Sequence, residues 1–300
     1  ACLGLGARVR VLDDLFTGRL DALDLKNPDL EIVEGTVNDP GTVSNAMRGC
    51  NWVIHAAARN IIVSTRNPRE DFETNIGGTL NALLAMREQP SVKRMVYTSS
   101  ASVFGNARHL PINEDDPINI LSPYAASKYG GETYCRAFYE SYGVRVSMVR
   151  YSNVYGEGQR ADNPYCGVVS KFFDAAAENR TIRIHGDGEQ TRDYTYVDDA
   201  VQATLMALVS PKAEGQVYNV GTGREVSVNA LAEMVVKVVG MPVEIEHVDR
   251  RDIDNIRRRV MNIEKIRREL RWAPSWTIER GLRSTWNWLH ARRAEAGTTA

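Results

Sequence analysis

Tyr124-Ala125-Ala126-Ser127-Lys128 sets a phenol and an ammonium four residues apart at the start of a helix-period segment, a spacing that brings both onto one helical face. The ammonium favours the phenolate, drawing its pKa from about 10 towards neutrality, so the pair can trade a proton with a bound hydroxyl. Tyr-x-x-x-Lys by itself turns up in about one of two chains of this length, and context has to decide. Thr98-Ser99-Ser100 follows an apolar run of strand length, where a hydroxyl can bond the same substrate oxygen, and Pro123 stands at the preferred first position of the helix,. Ser100, Tyr124 and Lys128 are the candidate catalytic set. Asp13 and Asp14 end another apolar run, Val9-Arg10-Val11-Leu12. A carboxylate there can accept both ribose hydroxyls of an adenosine and repel a 2'-phosphate, although a turn or cap aspartate looks the same.

Strand-length runs at 8–12, 30–34, 52–55, 94–98 and 144–150 alternate with helix-period segments at 42–48, 70–89 and 124–142, the signature of parallel βαβ units. The predicted fold is α/β: a doubly wound, Rossmann-type parallel sheet with a smaller mixed α/β substrate-binding lobe. The dinucleotide-binding domain is expected over 1–156 with returning elements at about 192–220, and the second lobe over 157–191 and 221–300. In that lobe the turns Gly186-Asp187-Gly188 and Gly221-Thr222-Gly223 punctuate shorter elements, and Ser227 is the expected N-cap of a helix over 228–239,. No glycine fingerprint precedes the first strand; Gly4-Leu5-Gly6 has no strand before it, and Gly6 reads as a C-cap,. Losing a central strand would expose two strand edges, so the N-terminal strand and Gly-rich loop are expected in a longer protein.

With a formal charge of −1 and 43% hydrophobic residues, the chain lacks the positive field of a nucleic-acid or anionic-membrane binder. No run reaches the ~18 apolar residues of a membrane helix, and no leader pattern opens the chain. Cys2, Cys50, Cys135 and Cys166 are widely spaced, which suggests neither zinc nor a disulfide framework and fits a cytoplasmic protein. The five histidines share no metal spacing and read as structural or exposed, with no metal expected. Trp286 and Trp288 in the last helix read as core cover.

Val53-Ile54-His55-Ala56-Ala57-Ala58, Asn75-Ile76-Gly77-Gly78-Thr79, Thr98 to Gly105, Tyr124 to Lys128, Tyr151-Ser152-Asn153-Val154-Tyr155-Gly156 and Arg192-Asp193-Tyr194 together resemble the extended short-chain dehydrogenase/reductases of the NAD-dependent epimerase/dehydratase family, most of all its UDP-glucose (UDP-galactose) 4-epimerases. The resemblance implies tightly held NAD bound by Asp13, Asp14, Thr36, Val37, Ala56, Ala57, Ala58, Asn75, Ser99, Tyr124, Lys128 and Tyr151. It implies substrate contacts from Ser100, Asn153, Asn163, Arg192 and Arg251. It also implies a nucleotide-sugar substrate, a transient 4-keto sugar and a homodimer through the helices 70–89 and 124–142, whose apolar residues occupy more than one face. Family dehydratases carry an acidic pair directly after the catalytic hydroxyl, and decarboxylases a glutamate in the second place; Ala101 and Ser102 stand there instead, favouring plain C4 oxidation and reduction,. A ketoreductase, 4,6-dehydratase or decarboxylase, and a non-catalytic NAD-binding protein, are the alternatives. Thr36 departs from the family's usual aspartate near adenine, and Asn60 from a frequent lysine near pyrophosphate.

Overall fold

The computed structural model describes residues 1–159, 167–250 and 256–297. β1 (Val9–Asp13) and β2 (Leu30–Glu34) pair in parallel, with Asp13 opposite Glu34. Gly6 closes a single 3-10 turn before β1 in the left-handed conformation, at φ 78°. Asp39 caps α1 (Pro40–Met47) by accepting the Thr42 N–H,. After β3 (Trp52–His55), the Asn60 side chain accepts from the Ile62 and Val63 N–H groups and starts α2 (Ile61–Arg66), a helix its β-branched residues did not announce.

The single helix expected over 70–89 is three pieces. Asn67 and Pro68 start α3 (Pro68–Asp71), a π-helical turn occupies Phe72–Gly77, and α4 (Gly78–Glu88) completes the run. At the junction the Thr79 hydroxyl donates to the Asn75 carbonyl at 2.6 Å, a side-chain bond that competes with the regular backbone ladder. π-Turns of this kind gather at functional sites.

β4 (Arg94–Ser100) runs two residues further than expected, and α5 (Pro123–Tyr142) starts under a Ser122 cap and ends at Gly143, φ 66°. β5 (Val146–Tyr151) and β6 (Asn153–Tyr155) follow. The remaining elements are α6 (Val168–Ala177), β7 (Ile182–His185), β8 (Thr191–Arg192), β9 (Tyr194–Tyr196), α7 (Val197–Val209), β10 (Val217–Val220), β11 (Val226–Ser227), α8 (Val228–Val239), β12 (Ile245–Val248), α9 (Glu264–Leu270) and α10 (Ile278–Gly297). Ser227 caps α8 by accepting the Ala230 N–H, as expected.

Two compact units result. The first comprises Ala1–Val103, Ile120–Arg150 and Ala203–Tyr218; the second comprises Phe104–Asn119, Tyr151–Gln202 and Asn219–Ala300. The parallel sheet runs in the order β10-β5-β4-β3, with β3, β4 and all of β5 but Tyr151 in the first unit, and β1-β2 form a separate ladder. This is the α/β, Rossmann-type architecture expected of the alternating pattern,. Among the described residues β1 pairs only with β2 and β3 only with β4, so each keeps one open edge. The core lies around β4, where Met95 and Tyr97 pack with Leu83, Met86, Cys135, Phe138 and Val146.

In the second unit β6 pairs in parallel with β9, β7 in parallel with β12, and β8 antiparallel with β11. Phe172, Phe173, Ile182, Tyr194, Leu231 and Val235 form its core. Trp286 stacks on Phe173 at 5.5 Å and Leu289 packs with it against this core, as expected, whereas the ring of Trp288 lies 5.7 Å from Arg292.

Candidate active site

α5 is fastened to β4 by side-chain bonds between the two elements. The Tyr97 hydroxyl donates to the Lys128 carbonyl at 3.2 Å, and the Ser99 hydroxyl donates to Glu132. The approach is close because residue 131 is glycine: a Cβ there would stand 2.2 Å from the Tyr97 hydroxyl oxygen. Tyr124 is half-buried and lies one turn before Lys128, which is buried with its Nζ 4.6 Å from the centre of the Tyr97 ring. Burial pulls the Lys128 ammonium down to about 8, against the pull of Glu132, Cys135 and Asp71,.

Ser100 ends β4, half-buried. Its hydroxyl donates to Ser102 Oγ at 3.0 Å, and its oxygen accepts the Ser102 N–H at 3.1 Å. Ala101 is buried. The Ser99 hydroxyl proton is committed to Glu132, so a part for Ser99 in cofactor binding falls to its backbone. Glu132 in turn binds Arg150 twice, at 2.9 and 2.7 Å, with both side chains buried.

Beside these residues lies a cluster of hydrogen-bonded side chains. Asp71 Oδ1 accepts from the Ser64 hydroxyl at 2.5 Å, the Asn75 amide at 2.6 Å and the Ser127 hydroxyl at 2.9 Å. Asn75 also accepts the Arg59 N–H at 2.7 Å and donates to the Arg59 carbonyl at 3.0 Å. Burial raises the Asp71 carboxyl, opposed by Ser64, Ser127 and Lys128. His55 is buried and held down to about 3, chiefly by desolvation and then by Lys128. Because the Thr79 proton goes to the Asn75 carbonyl, His55 Nε2 is the donor in its 2.9 Å bond to Thr79,. It is a neutral structural histidine.

At the end of β1, Asp13 Oδ1 accepts the Leu15 N–H at 2.8 Å, and Gly18 packs so near that a Cβ would stand 2.9 Å from the same oxygen. Asp14 forms a 2.7 Å ion pair with Arg59, which also pairs with Glu70 at 2.7 Å and lies 4.1 Å from the Phe16 ring centre. Burial tends to raise the Asp14 carboxyl, but the Arg59 guanidinium and the Phe16 N–H outweigh it and leave it below its usual range. Two carboxylates thus pair with one arginine, with Asp13 next in the chain to one of them, a setting suited to neutral ribose hydroxyls and hostile to an added phosphate. Thr36 accepts the Asn38 N–H, and the Val37 carbonyl accepts from Asn81 at 2.9 Å. Ala56 and Ala58 are exposed and Ala57 half-buried, leaving the backbone after β3 open to a ligand. The ribose-side residues therefore fit a dinucleotide.

In the second unit Tyr151 and Asn153 are half-buried, and the Asn153 N–H donates to the Asp193 carbonyl at 2.9 Å. Arg192 is buried and donates through Nη1 to the Thr191 and Ile256 carbonyls, both at 2.8 Å. Asp193 is caged. It accepts the Thr222 N–H at 2.7 Å, the Thr222 hydroxyl at 2.6 Å, the Gly223 N–H at 3.1 Å and the Met261 N–H at 3.2 Å. The anticipated substrate contacts Asn163 and Arg251 lie outside the described residues, as does Cys166. Among the described residues no cluster fits a metal and no helix is long and apolar enough to cross a membrane. Sequence reasoning missed Ser64, Asp71, Ser127, Arg59 and the Asp193 cage; only Glu132, four residues beyond Lys128, carried a readable signal.

Residues 1–221 match the model of the NAD dependent epimerase/dehydratase family. A UDP-glucose 4-epimerase of Mycolicibacterium smegmatis is 36% identical over 279 residues, covering 91% of this chain and 88% of the relative. The solved UDP-glucose 4-epimerase of Thermotoga maritima with UDP-glucose superposes with a TM-score of 0.92 at 30% identity, covering 97% of this chain and 94% of that one. The Thermus thermophilus UDP-glucose 4-epimerase in complex with NAD gives 0.87 at 30% identity, covering 96% and 93%.

Proposed function

The chain belongs to the NAD-dependent epimerase/dehydratase family, and from that premise we propose that it is an NAD-dependent 4-epimerase of a UDP-hexose, whether glucose/galactose or an N-acetylated or uronic-acid relative. NAD fits the ribose-side residues through Asp13, with Asp14 acting through Arg59, and through Thr36, Val37, Ala56, Ala57, Ala58, Asn75, the Ser99 backbone, Lys128 and Tyr151. When bound it supplies the reversible oxidant at the sugar C4.

Tyr124 is the base and acid. Its phenolate, supported by the Lys128 ammonium, takes the O4 proton as the 4-keto sugar forms and returns it when C4 is reduced on the opposite face. Ser100 orients the same oxygen through its hydroxyl, which turns from the neutral Ser102 hydroxyl to the substrate. Asn153 and Arg192, with Asn163 and Arg251, hold the nucleotide sugar.

The observation that carries this reading is what surrounds Ser100. Ala101 has no polar side chain, and the Ser102 hydroxyl is bonded to Ser100 itself. Neither can act as the acid or base that expulsion of water requires, so the chemistry stops at oxidation and reduction of C4. A panel of UDP-, dTDP- and GDP-sugars incubated without added reductant, with C4 epimers resolved by NMR, tests it. Interconversion of a UDP-sugar pair is expected, with kcat lowered by about 10²–10⁴-fold in Tyr124→Phe. Net consumption of reduced cofactor, or release of a 4-keto product, would assign a reductase or dehydratase instead.

The same reading includes a homodimer. Leu84 on α4 and Tyr129 and Tyr134 on α5 are each more than a third exposed, which supports pairing of these two helices with their copies in a four-helix bundle. Light scattering should give twice the chain mass, and a monomer at assay concentration would exclude it. A cytoplasmic, nucleotide-sugar-metabolising enzyme is the setting this implies.

A further inference from the structure

Lys128 has to stay charged inside the protein if it is to support a phenolate, and an ammonium removed from water needs a counter-charge. Two carboxylates act on its charge: Glu132 from its own helix, the larger influence taken singly, and Asp71 from α3. The other titratable groups around it are Cys135 and Tyr124 on α5, His55 on β3 and Tyr97 on β4. His55 is neutral, and burial raises both the Cys135 thiol and the Tyr97 phenol well above their ordinary values, so none of these three carries charge near neutral pH.

The two carboxylates are not equivalent. Glu132 is closed into a doubly bonded pair with the buried Arg150, at 2.9 and 2.7 Å. Seen from Lys128 that pair is a dipole, and its field falls off faster than that of a net charge. Asp71 is 2% exposed, and its hydrogen-bond partners are neutral: the Ser64 and Ser127 hydroxyls and the Asn75 amide. Its negative charge is offset by no cation in hydrogen-bond contact among the described residues. Ser127, which donates to it, directly precedes Lys128, and its oxygen also lies 3.0 Å from the Tyr124 carbonyl oxygen, so that its single proton is shared between the two acceptors,.

We propose that Asp71 is the counter-ion of Lys128 and, through it, a positioning residue for proton transfer at Tyr124. The buried charges then sum to zero in two sets, Arg150 with Glu132 and Lys128 with Asp71. The hydrogen bonds through Ser127 also fix the first turn of α5 to Asn75, on the cofactor side. The pairing rests on the burial of both residues, on the Ser127 hydroxyl that ties Asp71 to the turn carrying Lys128, and on the charge interaction between the two; its consequence for catalysis rests on the epimerase reading.

Asp71→Asn keeps the accepting oxygen and the volume and removes only the charge. A four-protein cycle of wild type, Asp71→Asn, Lys128→Met and the double variant, compared by thermal unfolding, tests the pairing without any assay of activity. Asp71→Asn should lower the melting temperature when Lys128 is present. It should raise it in the Lys128→Met background, where the carboxylate would otherwise be buried without a partner. An equal decrease in both backgrounds would overturn the pairing, and should the single variant fail to fold, the Lys128→Met pair still decides.

The catalytic consequence is read from kcat against pH. In wild type the activity should fall as pH rises through about 8, where Lys128 loses its proton. Without the nearby carboxylate the ammonium is less favoured, so Asp71→Asn should move this alkaline limb down by about one unit, with KM for the UDP-sugar little changed. A uniform loss of kcat with the limb unmoved would make Asp71 a structural residue only. Absence of 4-epimerase activity in wild type would sink the functional reading and leave the stability cycle to judge the pairing.

Discussion

Asp71 in the first unit and Asp193 in the second are each buried in a ring of hydrogen bonds, and the two rings are built from different material. Asp71 in the first unit accepts from three side chains carried by α2, the π-helical turn and α5. Asp193 in the second accepts from three backbone N–H groups and the Thr222 hydroxyl. Burial raises both carboxyls, and in both the ring opposes it. The charge facing them is the difference: Lys128 acts on Asp71, whereas the forces opposing burial at Asp193 are the hydrogen bonds to Thr222, Met261 and Gly223. Equal burial of the same residue type therefore serves two ends. A carboxylate held by main chain ties distant segments together, and one held by side chains next to a titrating cation can set the charge of that cation.

The strongest way to break this comparison is to remove the main-chain acceptor. Asp193→Ala strands the N–H groups of Thr222, Gly223 and Met261, two stretches of chain that meet on this one side chain. Unsatisfied buried donors each cost about 1–3 kcal/mol, and breaking a buried network is among the few causes of losses above about 4 kcal/mol. Asp193→Ala should therefore lose about 3–5 kcal/mol of unfolding free energy in urea, with the alkaline limb of whatever activity remains at its wild-type position. A shifted limb would mean that Asp193 too works through a titrating group, and the contrast with Asp71 would collapse.

The contrast also marks what a linear sequence can disclose. The strands were legible because buried parallel strands leave unbroken apolar runs, as Met95, Val96 and Tyr97 do in β4. The α8 cap and the Tyr124–Lys128 face were legible because a helix repeats every few residues, so Ser227 and Ala230, or Tyr124 and Lys128, are close in the chain. The helix over 70–89 was misread because a π-turn has no composition of its own; Phe72–Gly77 follows from where Thr79 and Asn75 send their hydrogen bonds. α2 was missed because Ile61, Ile62 and Val63 favour strands and only the Asn60 side chain starts the helix,. Ser64, Asp71 and Ser127 gave no signal at all. Their partnership spans 56 residues between Asp71 and Ser127, and it exists only once three elements have packed. Asp193 and Thr222 were both noted, one beside an arginine and the other in a glycine turn, but nothing local joins residues 29 apart.

The gentlest test asks whether a main-chain ring tolerates loss of its one side-chain donor. Thr222 contributes twice to Asp193 Oδ1, by its N–H at 2.7 Å and its hydroxyl at 2.6 Å. Thr222→Val keeps the shape and the N–H and deletes the hydroxyl. The Arg224 N–H, which donates to that hydroxyl at 3.2 Å, is exposed and can turn to water. With three N–H donors still on the carboxylate, the loss should be one net hydrogen bond to a charged group, about 1.5–3 kcal/mol at most, below that of Asp193→Ala. The pH dependence of kcat should not move, because no cation whose charge matters to Tyr124 has lost a partner. If Thr222→Val instead unfolds the protein as completely as Asp193→Ala, the hydroxyl carries the ring and the backbone does not, and both aspartates would have to be regarded as held by side chains.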